Sequence, residues 1–517
     1  MGGWLLLEMI RDSETVDSQK NGKKKQEEKI FLRLQTVREK KMNKVLLLSL
    51  CCCSLVNASF PSLPGWDLAD TCSEQYPTIA ETSETPFATA TSACDGTHDP
   101  THLISTKNGD LVFFYSGQGG ACQTKNIIVK YMRQGTNVWK VGGPMYGDCS
   151  ASKIPAWTNN VRFASPGTMG DYDAPVAMYS ETPKYPSLVS SDLANWVMYY
   201  SLYIQLNDQE GDFGTACIGR ATAVGHDPAS LVWVDDDKPV FCSNIDYDSN
   251  GFPSQLRYDT ELEYVQNVDD GYGIDPELYE DDDDNTYMTW GSGVIHTVML
   301  NSSTGHIPTS WDLPSGGPGK GSASDSNYHV ISRGATTETD GEYFNEAPYV
   351  FRANGYYYLF VNWYACCAGS CSTYEIRMGR STSPTGPFED KDGVRMDQQN
   401  VKTVYGQSTA GGSLLLHGST STGVLGPGHA GVFTFSGKHV FSFHFYDFND
   451  NGAAKLGMRV MTFDSDQWPV LSDEEWDVCE FTGCTSETAP TCPEDSAGRV
   501  STVSIWILFS FVVVLLQ

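Results

Sequence analysis

The sequence predicts an all-β chain, folded as a five-bladed β-propeller. Three observations carry this. Five short segments resemble one another and head successive stretches of the chain: His98-Asp99-Pro100, Asp173-Ala174-Pro175, Asp275-Pro276, Glu346-Ala347-Pro348 and Gly428-His429. Each is followed within about 20 residues by a strand-like apolar or aromatic run bounded by turn residues. The composition, with 49 Gly and 12% aromatic residues, includes no long segment with apolar residues at helical spacing.

The runs, in order, are Leu111 to Tyr115, Trp196 to Tyr200, Tyr287 to Trp290, Tyr356 to Val361 and His439 to Phe443. The segments start at 98, 173, 275, 346 and 429, intervals longer than the roughly 40–50 residues of common propeller repeats, so each blade carries embellished loops. The longest interval, from 173 to 275, implies a large insertion around Cys217 to Tyr264. Radial repetition brings the start of every blade to one central axis. Acids far apart in sequence then meet at one place.

Between these elements, several segments read as turns. Glu280 to Asp284 is a solvated hairpin turn, and His226-Asp227-Pro228 starts no strand run and is also a turn. Asp246-x-Asp248-x-Asn250-Gly251 imitates half a calcium loop, but its twelfth position is Arg257; Asp447-x-Asn449-x-Asn451-Gly452 ends likewise on Met458. A calcium loop of this type needs a carboxylate there, so both are Asx-Gly turns. Gly316 to Gly321 is a flexible loop rather than a phosphate loop, because Lys320 precedes Gly321 and not Ser or Thr.

Residues 1–58 stand apart from the fold. A polar, Lys-rich stretch precedes Met42-Asn43-Lys44, and the apolar run Val45 to Val56 has signal-peptide length, with cleavage expected near Ala58. The propeller is expected over 59–478, a Cys/Thr/Pro tether over 479–498 and a hydrophobic tail over 499–517. Small residues Ser496-Ala497-Gly498, a short polar spacer and the apolar Ile505 to Leu516 follow the order of a lipid (GPI) attachment signal. A secreted or cell-surface protein touching the membrane only through a C-terminal lipid anchor is the expectation. Cys51, Cys52 and Cys53 would leave with the signal, and the remaining twelve cysteines favour disulfides of open connectivity. Cys366-Cys367-x-x-x-Cys371 has the look of a metal cluster, but an oxidising compartment favours disulfides there too. The net charge of −30 argues against nucleic-acid or anionic-membrane partners, which need a basic surface. A neutral polysaccharide feels no such field.

Asp99, Asp275 and Glu346 each head a blade. Converging carboxylates suit the cleavage of a glycosidic bond. One takes a proton from water, a second delivers a proton to the leaving oxygen, and a third keeps the acid protonated and oriented. Glu fits the acid role through its longer arm and slightly higher reference pKa.

These motifs resemble glycoside hydrolase family 43. His98-Asp99-Pro100, Gly273-Ile274-Asp275-Pro276 and Glu346-Ala347-Pro348-Tyr349 are similar to its three signatures. Glu346 through Trp363, then Cys366-Cys367-Ala368-Gly369 and Ser372 to Ser381, resemble the arabinanase branch, the endo-α-1,5-L-arabinanases. The likeness runs from about Gly96 to Leu471 and is most specific over 346–470. It implies a five-bladed propeller that inverts at the anomeric carbon, with Asp99 as general base, Glu346 as general acid and Asp275 tuning and orienting the acid. It also implies a largely hydrated calcium ion on the axis contacted by His429 of Gly426-Pro427-Gly428-His429, and sugar contacts from His98 and Asp173. The second blade departs from the family's Trp-Ala-Pro-Asp, reading Asp173-Ala174-Pro175-Val176 and leaving endo or exo action open. An exo-acting arabinofuranosidase or β-xylosidase is the nearer alternative. A non-catalytic carbohydrate-binding propeller is the alternative of another class.

Overall fold

A computed structural model of the chain describes residues 96–485, apart from 120–121, 146–154, 156, 158–163, 181–193, 207–213, 243–244, 248–252, 257–272, 308–327, 337–342 and 405–406. The expected signal segment, the lipid-attachment tail and the loop at 316–321 lie outside the described residues.

Five antiparallel sheets follow one another along the chain. Blade one pairs Thr97–His98, Leu111–Gly119, Cys122–Met132 and Trp139–Pro144. Blade two pairs Ala164–Ser180, Asn195–Leu206, Gly214–Val224 and Phe241–Cys242. Blade three is Glu277–Glu280, Thr286–Trp290, Val294–Met299 and Tyr328–Arg333. Blade four is Tyr343–Ala353, Tyr356–Trp363, Glu375–Ser381 and Ser413–His417. Blade five is Val424–Phe435, Lys438–Asp447, Ala453–Phe463 and Pro469–Glu475. Every run read from the sequence is the second strand of its blade. Each predicted heading segment lies in, or directly beside, the innermost strand.

The apolar clusters show why the sheets close into a ring. Trp196, Met198, Tyr200 and Leu202 of blade two pack against Val112, Phe114 and Val129 of blade one. The intervening Val197 and Tyr199 turn the other way, onto Leu278, Met288 and Trp290 of blade three. Alternate side chains of one strand thus fill two different junctions, as a two-residue period requires. Blades three and four share Ile295, Leu359 and Trp363, blades four and five share Phe360, Ile376 and Phe441, and blades five and one share Phe433, Leu456, Phe113 and Trp139. With apolar neighbours on both faces, the second strands become nearly continuous apolar runs, which is what made them readable. Trp139, Trp196, Trp290 and Trp363 are fully buried at these junctions, each stabilising the ring by about 1.5–3 kcal/mol or more.

The body extends past the expected boundary at Val478. A short helix, Cys479–Thr482, carries Phe481 onto Phe433 and Phe435, and Thr482 O accepts from Gly135 N at 2.6 Å. A Cys479–Cys484 disulfide closes this turn. The segment assigned to the tether therefore begins as part of the packed propeller, because Phe481 has an apolar surface to cover. The insertion expected from Cys217 starts later: Cys217 and Cys242 face each other on paired strands of blade two and are disulfide-bonded, and the hairpin of Ile245–Tyr247 with Pro253–Leu256 follows them.

The acidic run is the hairpin turn expected of it: Asp281 Oδ1 accepts from Asp283 N and Asn285 N, both at 2.9 Å. Asp447 Oδ1 likewise accepts from Asn449 N, and Asn451 is left-handed. Asp227 caps a three-residue turn and pairs with Arg133 at 2.6 Å.

Candidate active site

One backbone device recurs where the blades meet the axis. Asp99, Asp275, Ala347 and His429 have φ of 42°, 54°, 49° and 56°. Non-glycine residues rarely adopt this left-handed conformation, which costs on the order of 1–3 kcal/mol each and clusters at functional sites. Four of the five inner strands thus carry the same strained corner. In blades four and five, bulges accompany it, between Glu346 and Tyr349 and on either side of Gly428. Gly428 also permits close approach, since a Cβ there would lie 2.5 Å from the Tyr374 ring.

The corners bring the predicted carboxylates together. Asp275 Oδ2 accepts from Ala347 N at 3.0 Å, tying it to the residue that follows Glu346. Asp275 N donates to Ser201 Oγ at 3.0 Å, which anchors it to blade two. Glu346 Oε2 accepts from Ser292 Oγ at 3.2 Å. His429 Nδ1 lies 3.4 Å from Asp99 Oδ1, and the charges of both Asp99 and Asp275 favour its protonated form. Tyr446 feels the negative charge of both Asp99 and Glu346. Residues from all five blades therefore act on one another around a single axial well.

Asp99 has the richest surroundings. It is 8% exposed, and its Oδ2 is 2.6 Å from His98 Nδ1. Nδ1 of His444 lies 3.6 Å from Oδ1 and accepts from Asp99 N at 3.3 Å. His98 stacks on His444 at 4.5 Å and meets Tyr446 Oη through Nε2 at 2.7 Å. Burial pushes the Asp99 carboxyl up, but the charge of His98 and the pairing with His429 and His98 outweigh it. The net effect holds Asp99 well below the usual carboxylate range, so it is an anion in the pH range of most glycan chemistry. Burial lowers the affinity of His429 for its proton, yet the contacts with Asp99 and Asp275 raise it overall. His444 is pushed the opposite way, chiefly by burial and then by His98, and stays neutral.

His98 thus holds and orients Asp99. Asp173 lies in the inner strand of blade two, opposite Ser201, and its side chain falls outside the described residues. Sequence reasoning missed His444, Tyr446, Asn362, Ser292 and Ser201. Asn362 receives His429 N at 3.0 Å through Oδ1 and fixes that corner. His444 and Tyr446 alternate along the second strand of blade five, a two-residue spacing that could have flagged a polar face turned to the axis. The cysteines of the suspected cluster form disulfides instead: Cys366 bonds to Cys367, and Cys371 is also disulfide-bonded.

Among the described residues, a calcium ion near His429 would take most of its ligands from water. Among the described residues, the sets of three donors near this site are His98–Asp99–His444 and His98–Cys366–Cys367. Calcium takes six to eight oxygen ligands, waters included; one carboxylate among imidazoles supplies few of them, which fits only a largely hydrated ion. No step below is routed through a metal.

A profile of the family described as glycosyl hydrolases family 43 matches residues 258–469. Over that segment, less than half of its length, the chain resembles the family, and the proteins it is similar to are of the arabinanase branch. The match and the arabinanase relatives together support a glycoside hydrolase. It is similar to an extracellular exo-α-(1→5)-L-arabinofuranosidase of Cellvibrio japonicus, 27% identical over 388 residues that cover 74% of this chain and 87% of that protein. It is also similar to an extracellular endo-α-(1→5)-L-arabinanase of Bacillus subtilis, 34% identical over 198 residues that cover 38% of this chain and 50% of that one. Among solved structures, an exo-1,5-α-L-arabinanase from a bovine ruminal metagenomic library superposes with a TM-score of 0.50 at 25% identity, covering 74% of this chain and 99% of that chain. Like the five sheets and five junctions above, that likeness is to a closed propeller.

Proposed function

We propose that this chain hydrolyses α-1,5-L-arabinofuranosyl linkages of arabinan, outside the cell, with inversion at the anomeric carbon. The observation that carries the reading is the contrast within one well: a carboxylate held as an anion by histidines, Asp99, faces a site shared with Glu346 and Asp275. In this reading Asp99 takes a proton from water as its oxygen attacks the anomeric carbon. Glu346 delivers its proton to the departing sugar oxygen. Asp275, hydrogen-bonded to Ala347 N, holds the Glu346 corner in place. His98 and His429 keep Asp99 ionised between turnovers.

Endo action is supported by the resemblance of 346–470 to the endo-arabinanases. An exo reading is supported by the Cellvibrio relative, which this chain matches over 87% of its length. The proposal includes a hydrated calcium ion near His429, and nothing in the chemistry above depends on it. Extracellular placement agrees with the names of both curated relatives. The lipid anchor is part of the same proposal; release from cells by a phosphatidylinositol-specific phospholipase would test it.

The deciding experiment is a product profile from debranched arabinan. A ladder of oligosaccharides supports endo action, and one short product from the outset supports exo action. No sugar release with retained glycan binding would replace both with a non-catalytic propeller.

A further inference from the structure

We propose that the Cys366–Cys367 disulfide is a sugar-stacking platform in the wall of the axial well; this rests on the arabinan reading above and names a further piece of that site.

The disulfide follows the second strand of blade four, four and five residues after Asn362. Cys367 N donates to Tyr446 Oη at 2.9 Å, and Cys367 Sγ lies 3.7 Å from His98 Nε2. Tyr446 Oη also meets His98, whose other ring nitrogen holds Asp99. The sulfur pair is therefore one side chain away from the residue that activates water.

Its exposure sets it apart. Cys367 is exposed and Cys366 half-buried, whereas Asn362, Trp363, Tyr374, His444 and Tyr446 around it are buried. Among the described residues, every exposed large apolar side chain is a valine, so no Trp, Tyr or Phe offers a fully open ring face. Among the described residues, the disulfide is an open apolar surface beside His98.

A structural purpose does not account for it. Cross-linking residues far apart stabilises a fold by restricting the unfolded chain, and the gain shrinks with the length of the loop closed. Cys217–Cys242 closes 25 residues and joins two strands, but Cys366–Cys367 joins neighbours and ties nothing together. The loop is also held against backbone preference. Tyr364 and Cys367 have φ of 70° and 67°, and strain of this kind gathers at ligand clamps.

The chemistry fits a furanose ring. Two adjacent sulfurs and their Cβ atoms make a small, stiff, polarisable plate that has no hydrogen-bonding demand. The C–H face of a pentose can cover it, burying apolar area and gaining dispersion contacts. The hydroxyls stay free for the polar side of the well.

The test measures arabinohexaose binding by calorimetry in the inactive Glu346→Gln background, with and without Cys366→Ala/Cys367→Ala. The expected result is a dissociation constant raised about tenfold, which corresponds to about 1.4 kcal/mol. In the active background KM rises by the same factor while kcat stays within about twofold. An unchanged dissociation constant overturns the proposal, as does a fall in kcat at constant KM, which would mean that the disulfide acts only by bracing Tyr446 and His98. Should the double variant fail to fold, the ring is opened in folded wild type with a phosphine reductant and opening is counted by mass. Unchanged arabinohexaose affinity of the opened protein overturns the proposal equally. Wild type that binds and cleaves arabinan while the opened form matches it leaves the arabinan reading standing and removes only the platform. Wild type that neither binds nor cleaves arabinan removes both.

Discussion

Asp99 and Glu346 are two carboxylates of one well in opposite company. Asp99 is surrounded by imidazoles, touched by His98 at 2.6 Å and approached by His429 and His444. Glu346 meets a neutral hydroxyl, Ser292, and sits beside a backbone bonded to another carboxylate, Asp275. Cations near the first favour its ionised form, whereas no imidazole is among the contacts described for the second. In the proposed mechanism these two groups of similar intrinsic acidity act as base and acid because of what the blades place next to them. The lesson is that environment, more than residue type, assigns the roles.

The comparison can be broken most severely at the acid. Glu346→Gln keeps the shape and the Ser292 contact but removes the transferable proton. Steady-state kinetics on linear arabinan should show kcat lower by at least about 10³-fold, with a melting temperature close to wild type. Near-normal turnover would take Glu346 out of the acid role. Asp275→Asn is next. It removes the like charge and weakens the bond to Ala347 N, so kcat should fall by about 10²-fold. The alkaline limb of kcat/KM should also move to lower pH, because the acid would lose its proton more readily. A fall in rate without that movement would reduce Asp275 to a purely geometric part.

The base side gives smaller and more graded effects. Without His98, Asp99 loses its 2.6 Å partner and the leading cause of its acidity. His98→Ala should move the acid limb of kcat/KM to higher pH and lower kcat by roughly tenfold, reflecting a charge-assisted hydrogen bond worth about 1.5–3 kcal/mol. An unmoved acid limb would show that His98 does not hold the base.

The smallest effect is on stability. The folded state depresses Asp99, so its contribution is present above the unfolded value near 3.9 and is lost as pH falls through the lower folded value. It raises His429, whose contribution is present below about 6.5 and is lost as pH rises through the higher folded value. Their pairing is therefore at full strength between about pH 4 and 6.5. Thermal melts of wild type and His429→Gln should differ most in that window and converge above it; a constant difference would mean that packing, rather than the pair, stabilises the corner.

Much of the fold was legible because both faces of each second strand are buried, so Tyr356 to Val361 or Trp196 to Tyr200 reads as a run that admits little else. The carboxylates were legible because each stands beside a proline at the head of a unit. His444 and Tyr446 were hidden because the strand holding them is buried from Val440 to Asp447 and reads like core. The Cys366–Cys367 bond was hidden because connectivity depends on which sulfurs the fold brings together, and neighbours in sequence are an unusual pair. Phe481 escaped because a short segment between cysteines, rich in Thr, Glu and Pro, looks like a tether until the apolar floor beneath it is seen.

The most direct test of the acid–base pairing is proton NMR of the first sugar released from a linear α-1,5-arabino-oligosaccharide, recorded before the anomers equilibrate. Water activated by Asp99 and directed to the face opposite the leaving group gives the β-anomer first. An α-anomer appearing first would mean a covalent or same-face route and would contradict the assignment of Asp99 as the residue that activates water.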